Sequence, residues 1–207
     1  ALERTNFTIE EHLKLKKICE KNEIQYLCTP FSRDGADLLD EINVDFFKIG
    51  SGEMTNLPLI EHVAKKGKPM IVSTGMSELD EIKETVNLIK EIKTPVALTH
   101  CVSVYPCPYE LVNLRVIPKL NKIFGIPVGL SDHSNSVYTS FGAVAHGACI
   151  IEKHFTLDKN AEGPDHASSI EPKELKELVN GSRAIYSENG EEKKIFNKEK
   201  QILAWAR

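Results

Sequence analysis

GLSDHS, at residues 129–134, is the stretch of sequence that decides the fold. It follows an apolar run at residues 126–128 and precedes a segment of small residues from 136 to 148. This order predicts a strand, a polar turn and a helix. The next apolar run, at 148–151, ends in Glu-Lys-His at 152–154. Two consecutive strands therefore each deliver a histidine, His133 and His154, at their carboxyl ends.

Two interpretations of this histidine pair are open. The carboxyl ends of neighbouring strands lie side by side in a parallel sheet, so the two imidazoles could share one metal ion. Alternatively, they are unrelated strand-end histidines that form local hydrogen bonds. The spacing of 21 positions between His133 and His154 is not a closed ligand pattern, so it does not decide between the two.

The strand–turn–helix pattern occurs six times along the chain. Strands are predicted at 24–28, 44–47, 69–72, 94–99, 126–128 and 148–151. The polar and glycine residues gather at the strand-to-helix turns, and the markers of these turns are 19 to 31 residues apart. Such spacing is typical of βα units. We predict an α/β fold, specifically a (β/α)8 barrel, and six units leave that barrel incomplete. The chain lacks a glycine-rich dinucleotide motif, which disfavours a doubly wound sheet.

The helices at the two ends of this pattern have recognisable limits. Thr8 can cap a first helix at 6–22, and Glu171 followed by Pro172 predicts the start of a late one. A further helix is predicted from about Asn113 to Phe124, with Pro118 in its first turn. Residues 187–200 are charged and predict a linker, with a short helix possible at 201–205.

Composition excludes several classes of protein. The 207 residues are 41% hydrophobic and 27% charged, with a formal net charge of −4. This balance suits a soluble domain and argues against a nucleic-acid-binding surface. No apolar run approaches the ~18 residues of a membrane span. The five cysteines form no C-x-x-C pair, which argues against a zinc site with thiolate ligands. Their odd number argues against a disulfide framework and favours a reducing, cytoplasmic location.

The polar turns could form an anion site. One cation and several hydroxyls would meet at the mouth of the barrel, which is the end where the strands finish. The residues that follow predicted strands in this way are Lys48, Ser51, Ser73, Ser131 and Thr29. Such a set suits a phosphate-bearing small molecule. The alternative is that the lysine extends its amine to solvent and each serine only caps a helix.

Other polar residues are weaker candidates for the same mouth. Glu53 and Asp165 are candidate acid/base groups or polar contacts, or ordinary solvated carboxylates. Tyr105 could stack on a ligand or fill the loop. We expect His100 and His166 to have structural roles.

Seven motifs together resemble those of the sialic acid synthase family, the phosphoenolpyruvate-dependent synthases of N-acetylneuraminate and related nonulosonates. In family order they are TPFS (29–32), KIGSGE (48–53), STGM (73–76), HCVSVYP (100–106), GLSDHS (129–134), EKHFTLD (152–158) and GPDHASS (163–169). The resemblance covers nearly the whole chain. It implies a transferase that condenses phosphoenolpyruvate with an N-acetylhexosamine such as N-acetylmannosamine and releases phosphate. It also implies a homodimer and a divalent metal, manganese or magnesium.

The resemblance assigns roles motif by motif. It makes His133 and His154 metal ligands and places Lys48, Glu53 and His154 among the catalytic groups. It assigns phosphoenolpyruvate to Thr29, Lys48, Ser51, Ser73, Ser103 and Ser131, and the sugar to Glu53, Tyr105 and Asp165. Ser103 stands where some members have asparagine.

The family pattern also predicts where the domains lie. Residues 1–188 would be the barrel, with its first two strands before residue 1. Residues 189–207 would lead towards a C-terminal antifreeze-like domain.

Two other functions are compatible with the sequence. A class I aldolase on the same fold would form a Schiff base at Lys48 or Lys153. A non-catalytic sugar-binding barrel would keep the pocket without metal dependence.

Overall fold

The computed structural model describes residues 7–206. The helices are α1 Ile9–Lys21, α2 Arg33–Glu41, α3 Leu57–Ala64, α4 Leu79–Glu91, α5 Tyr109–Val112, α6 Val116–Phe124, α7 Tyr138–Ala145, α8 Pro172–Glu188 and α9 Asn197–Ala206. The strands are β1 Phe47–Ile49, β2 Met70–Ser73, β3 Val96–Cys101, β4 Val128–Asp132 and β5 Ile151–Lys153. Two short 3-10 turns lie at Ser51–Glu53 and His166–Ser168.

The five strands form one parallel sheet in the order β1-β2-β3-β4-β5. Each strand pairs with the next in sequence, and helices make the crossovers. The sheet curls like part of a barrel wall, so the predicted α/β class is confirmed. The sheet has five strands among the described residues, and the prediction of six strands is wrong.

Residues 24–28 were predicted to form a strand, and the structure has no strand there. This segment has no assigned secondary structure and no ladder partner, so it is not a strand. Tyr26 and Cys28 pack on the core, whereas Ile24 and Leu27 are exposed. The expectation that Leu27 faces the interior is wrong, because its side chain is exposed. Backbone pairing requires a neighbouring strand in register, which a single segment cannot reveal.

The observed strands extend further into the polar turns than the apolar runs predict. β3 ends at Cys101 and β4 at Asp132, two and four residues beyond the predicted limits of 99 and 128. A barrel interior can hold polar side chains near the strand ends, so hydrophobicity underestimates the strands there. Several of the candidate site residues therefore lie on strands and not on loops.

Most helix boundaries follow their sequence signals. Thr8 forms a capping box with Glu11 at the start of α1, and Glu171 and Pro172 begin α8. The predicted start of the first helix at residue 6 lies outside the described residues. The helix expected from Asn113 begins instead at Val116, because Asn113 adopts a left-handed conformation that separates α5 from α6. Pro118 lies in the first turn of α6, as predicted.

The C-terminal part is less buried than the sheet. The short helix expected at 201–205 is present and longer, as α9, and none of its residues is buried. α8 ends at Glu188, and the domain boundary at that residue stays a prediction. Within residues 7–206, none of the helices combines the length and apolar character that a bilayer crossing requires.

The apolar core lies between the sheet and the helices. Alternate strand residues such as Phe47, Ile49, Val72 and Leu98 are fully buried there against side chains of α2, α3, α4 and α6. The other face of each strand is the inner face of the curled sheet. The fold therefore separates an apolar helix-facing layer from an inner layer that is free to carry chemistry.

Gly129, on the inner face of β4, lies close to the backbone of Ile150 on the neighbouring chain segment. A Cβ atom at this position would lie 2.3 Å from the Ile150 carbonyl oxygen and 2.6 Å from the Ile150 Cβ. We expect Gly129→Ala to lower the free energy of unfolding by about 1–3 kcal/mol, as overpacking does. Urea denaturation measures this. Gly190→Ala is the control, because a Cβ there meets nothing within 4 Å. Equal stability of the two variants would contradict the packing analysis.

Candidate active site

The inner face of the sheet carries a polar layer at the carboxyl ends of the strands. Cys101, Ser131 and Glu152 are register partners on β3, β4 and β5, and they share one face. A cavity of about 350 Å³ lies against this layer. It is lined by Thr29, Phe31, Lys48, Gly50, Ser51, Ser73, Cys101, Tyr105, Ser131, His133, Glu152, Lys153 and His154. The structure thus brings together most of the residues that the sequence singled out.

Lys48 places a buried cation in this cavity. Its side chain is 7% exposed, and its Nζ lies 3.3 Å from the Glu152 Oε1 atom. The same amine donates to the Ile49 carbonyl oxygen at 3.3 Å. The Glu152 Oε2 atom is buried without a hydrogen-bond partner. The hydrogen-bonding capacity of this pair is therefore only partly used, which leaves the Lys48 amine available to an anionic ligand.

Ser51 is the centre of a hydroxyl cluster beside Lys48. Its Oγ donates to the Ser73 Oγ at 2.9 Å and accepts from the Gly75 amide at 3.1 Å. It also lies 3.4 Å from the Cys101 Sγ. The serines therefore bond to one another and to the neighbouring loop, so they do not act as simple helix caps here.

Gly75 allows the loop after β2 to pack closely against this hydroxyl cluster. A Cβ at residue 75 would lie 2.3 Å from the Ser103 Oγ, 2.6 Å from the Ser51 Oγ and 2.9 Å from the Cys101 Sγ. The loop after β2 can approach the cluster only because residue 75 has no side chain. Ser103 thereby lies at the edge of the site, facing the adjacent cleft.

His133 and His154 lie next to each other at the cavity mouth. Their ring centroids are 5.4 Å apart. Tyr105 stacks on the His133 ring at 4.0 Å and meets the His154 ring edge-on at 5.5 Å. His133 Nδ1 donates to the Val102 carbonyl oxygen at 2.9 Å, which leaves Nε2 as its free nitrogen.

This arrangement fits two ligands of a metal ion. Metal-binding histidines usually donate their second ring N–H to a carbonyl or carboxylate, as His133 does. Asp165 lies 4.0 Å from His154 Nδ1, beyond hydrogen-bonding distance. Between Phe7 and Ala206, no group of three or more His, Cys, Asp or Glu residues could hold a metal.

Lys153 is held away from free solvent. Its Nζ is 3.0 Å from the Asp132 Oδ2, and both side chains are almost fully buried. Burial lowers the pKa of Lys153, while the charge of Asp132 opposes this effect. An amine occupied in this way has no free position for a carbonyl substrate.

Three candidates lie at or beyond the rim of the cavity. The Glu53 carboxylate accepts from the Asn56 Nδ2 at 2.6 Å and does not line the cavity. Asp165 is exposed, and Ser103 contacts the Cys101 Sγ at 3.7 Å. Their assigned contacts with sugar and phosphoenolpyruvate stay predictions. His100 is structural as expected, since it bonds to the Val112 carbonyl oxygen at 2.6 Å behind the sheet.

Sequence reasoning missed Cys101 and Glu152 as site residues. Glu152 lies two positions before His154, and Cys101 is in register with Ser131. The alternation of side chains along the strands was the signal that could have found both.

The Cys101 thiol is acidified by its neighbours. Burial raises its pKa, but hydrogen bonds with His133, Ser51 and Ser103 and the charge of His133 outweigh this and bring the pKa to about 7. Burial lowers the pKa of His133. The hydrogen bonds of His133 to Cys101 and to the Val102 carbonyl raise it by more, so the pKa is raised overall. The interaction therefore lowers the pKa of Cys101 and raises the pKa of His133.

This pairing can be tested by thiolate absorbance at 240 nm in the EDTA-treated protein. The difference between wild type and Cys101→Ser should titrate with a midpoint near the Cys101 pKa of about 7. His133→Ala should move the midpoint upward, because the thiolate loses its strongest partner. Cys149 is the internal control, because burial raises its pKa and it should therefore ionise at higher pH than Cys101. A Cys101 midpoint at or above the value of about 8.5 for a free thiol would contradict the analysis.

Comparison with known proteins gives the chain its family. The NeuB family model matches residues 1–194. The N,N'-diacetyllegionaminic acid synthase of Campylobacter jejuni is 42% identical over 97% of this chain and 61% of its own length. The human N-acetylneuraminate-9-phosphate synthase is 38% identical over 95% of this chain and 54% of its own length. The chain thus spans a little over half the length of these curated relatives.

A solved structure agrees with this comparison. The N-acetylneuraminic acid synthetase of Leptospira borgpetersenii serovar Hardjo-bovis, in complex with citrate, superposes with a TM-score of 0.91. It is 37% identical, over 97% of this chain and 70% of the solved chain. The matched motifs, the parallel sheet and the family model agree, and the chain belongs to the NeuB family, the sialic acid synthase family.

Proposed function

We propose that this chain forms most of the active site of a synthase that condenses phosphoenolpyruvate with an N-acetylhexosamine. The product would be sialic acid or a related nonulosonate, and phosphate would be released. The observation that carries this proposal is the joint presence, in one cavity, of a buried lysine, three serine hydroxyls and two adjacent imidazoles. Membership of the NeuB family supports the same reaction.

Phosphoenolpyruvate would bind at the Lys48 side of the cavity. Lys48 supplies the cation, and Ser51, Ser73 and Ser131 supply hydroxyl donors, with Thr29 at the edge. Each bond to a charged oxygen is stronger than a neutral one. Binding there would replace the loose contact between Lys48 and Glu152 with contacts to the ligand. Ser103 would complete this set from the loop beyond Cys101.

The sugar would bind at the histidine side, against Tyr105. Its open-chain aldehyde would then face the enol carbon of phosphoenolpyruvate. A new carbon–carbon bond forms between these two atoms, water adds at the resulting cationic centre, and the tetrahedral intermediate expels phosphate. The residues of this chain orient the reactants and stabilise charge, and they form no covalent bond to either. Glu53 and Asp165 are proposed to contact the sugar hydroxyl or acetamido groups when the rim loops close.

A divalent metal, manganese or magnesium, fits the imidazole pair. His133 and His154 would hold it, and its chemistry would be Lewis-acid polarisation of the aldehyde oxygen. The Val102 carbonyl orients His133 for this task through its bond to Nδ1. We also propose a homodimer in the cytoplasm. The five free cysteines suit a reducing compartment.

The decisive experiment measures phosphate release from phosphoenolpyruvate by the full-length protein. The sugar panel is N-acetylmannosamine, its 6-phosphate and a diacetamido-trideoxy relative. Release that requires one of these sugars supports the proposal and identifies the substrate. Sugar binding without any release would favour a binding protein. Trapping of a lysine adduct by borohydride would favour a Schiff-base aldolase.

The imidazole pair gives the first prediction from this function. His133→Ala or His154→Ala should abolish manganese-dependent turnover, because one ligand of the ion is lost, while the protein stays folded. His146→Ala, at an exposed helix end outside the cavity, is the control and should retain activity. Steady-state kinetics after EDTA treatment and manganese addition measure this. Full manganese-dependent activity in either site variant would refute the metal assignment.

Lys48 gives the second prediction. A charge-assisted hydrogen bond contributes about 1.5–3 kcal/mol, so Lys48→Ala should raise the KM for phosphoenolpyruvate roughly 10- to 100-fold. The KM for the sugar should change much less. Lys68→Ala, which removes a surface ion pair with Asp40, is the matched control. An unchanged KM for phosphoenolpyruvate would show that Lys48 does not hold the phosphate.

A further inference from the structure

Each of the two site histidines is preceded by a charged residue that points to the opposite face of the sheet. Asp132 comes before His133 on β4, and Lys153 comes before His154 on β5. Because side chains alternate along a strand, both charged side chains leave their strands on the face opposite the imidazoles, and Lys153 also borders the cavity. There, the Lys153 Nζ and the Asp132 Oδ2 are 3.0 Å apart, and their side chains are 2% and 1% exposed.

This buried pair is fully hydrogen-bonded. The Asp132 carboxylate accepts from the Ser134 amide at 2.8 Å and from the Ser140 hydroxyl at 2.6 Å, in addition to Lys153. The Lys153 amine also donates to the Ser134 carbonyl oxygen at 2.5 Å. The pair therefore ties the end of β5 to β4, to the turn after β4 and to α7.

The position of the pair in the ladder gives it a special role. Asp132 and Lys153 are the last register partners of β4 and β5. His133 and His154 follow immediately, where the two strands no longer pair with each other. Beyond this point their backbones bond elsewhere: the His133 carbonyl accepts from Cys107, and the His154 carbonyl accepts from Ile170. The ion pair is thus the last direct tie between the strands before the imidazoles.

We infer that the Asp132–Lys153 pair is a positioning device that fixes the separation of the His133 and His154 rings. This inference rests on the proposed metal-binding function of the two histidines. A buried ion pair contributes little net stability compared with a well-packed apolar pair. Its value here is geometric, since it holds two ligands at one spacing before any ion binds. Asp132 and Lys153 are positioning residues, because neither binds the ion.

The test compares Mn²⁺ affinity, measured by calorimetry in the full-length protein, between wild type and Lys153→Met. Methionine is unbranched and uncharged and only one heavy atom shorter than lysine, and Asp132 keeps its bonds to Ser134 and Ser140. Partners that orient metal ligands typically change metal affinity 10- to 100-fold, and we expect a rise in Kd of roughly that size. Asp132→Asn, which preserves the volume, should act in the same direction.

The control separates positioning from general stability. Thr85→Val removes a buried hydrogen bond to the Met54 carbonyl oxygen, far from the histidines, and should lower stability without changing the Kd for Mn²⁺. Only variants with cooperative unfolding are compared. If Lys153→Met and Asp132→Asn do not fold, Ser140→Ala, which leaves the charges paired, should still raise the Kd.

Each outcome has a defined meaning. A raised Kd in the folded pair variants, with wild-type affinity in Thr85→Val, supports the inference. Wild-type affinity in a folded Lys153→Met protein overturns the positioning role and leaves the proposed metal site intact. Loss of affinity in Thr85→Val as well would show a stability effect and overturn the inference. Wild-type protein that fails to bind Mn²⁺ would overturn the metal site and, with it, this inference.

Discussion

The alternation of side chains along five parallel strands in register is the constraint on which the rest of the structure depends. It sends Phe47, Val72 and Leu98 outward to the helices and Lys48 and Ser73 inward to the cavity. The apolar layer holds the sheet together, and the inner layer is thereby free to be polar. A shift of one residue in any strand would exchange the two sets, so core packing and site chemistry are specified together.

Much of this arrangement could be predicted from the sequence. The repeated strand–turn–helix pattern gave the α/β class, and the polar turns gave Lys48, Ser73 and the histidine pair. These signals are local, because ligand sites in parallel sheets form at the carboxyl ends of strands. The helix limits at Thr8 and Pro172 were equally local, since capping involves residues within one turn.

The remainder depended on partners that are distant in sequence. Residues 24–28 have the composition of a strand, yet strand formation requires a neighbour to pair with. Glu152 and Cys101 were expected just beyond the ends of predicted strands, and only the register shows that they lie beside Ser131. The bond between Asp132 and Lys153 joins residues of opposite charge on separate strands, and local periodicity carries no information about such a contact.

Tyr105 has a consequence for how the site can be observed. Tyr105 is 47% exposed, yet its ring is stacked on that of His133 at 4.0 Å, so a loop residue and not the sheet covers one face of that imidazole. A ligand that contacts this face must first move the phenol. Such a movement alters the asymmetric surroundings of an aromatic ring, which gives rise to its near-ultraviolet circular dichroism. Displacement of Tyr105 from His133 is thus coupled to an optical signal intrinsic to the chain.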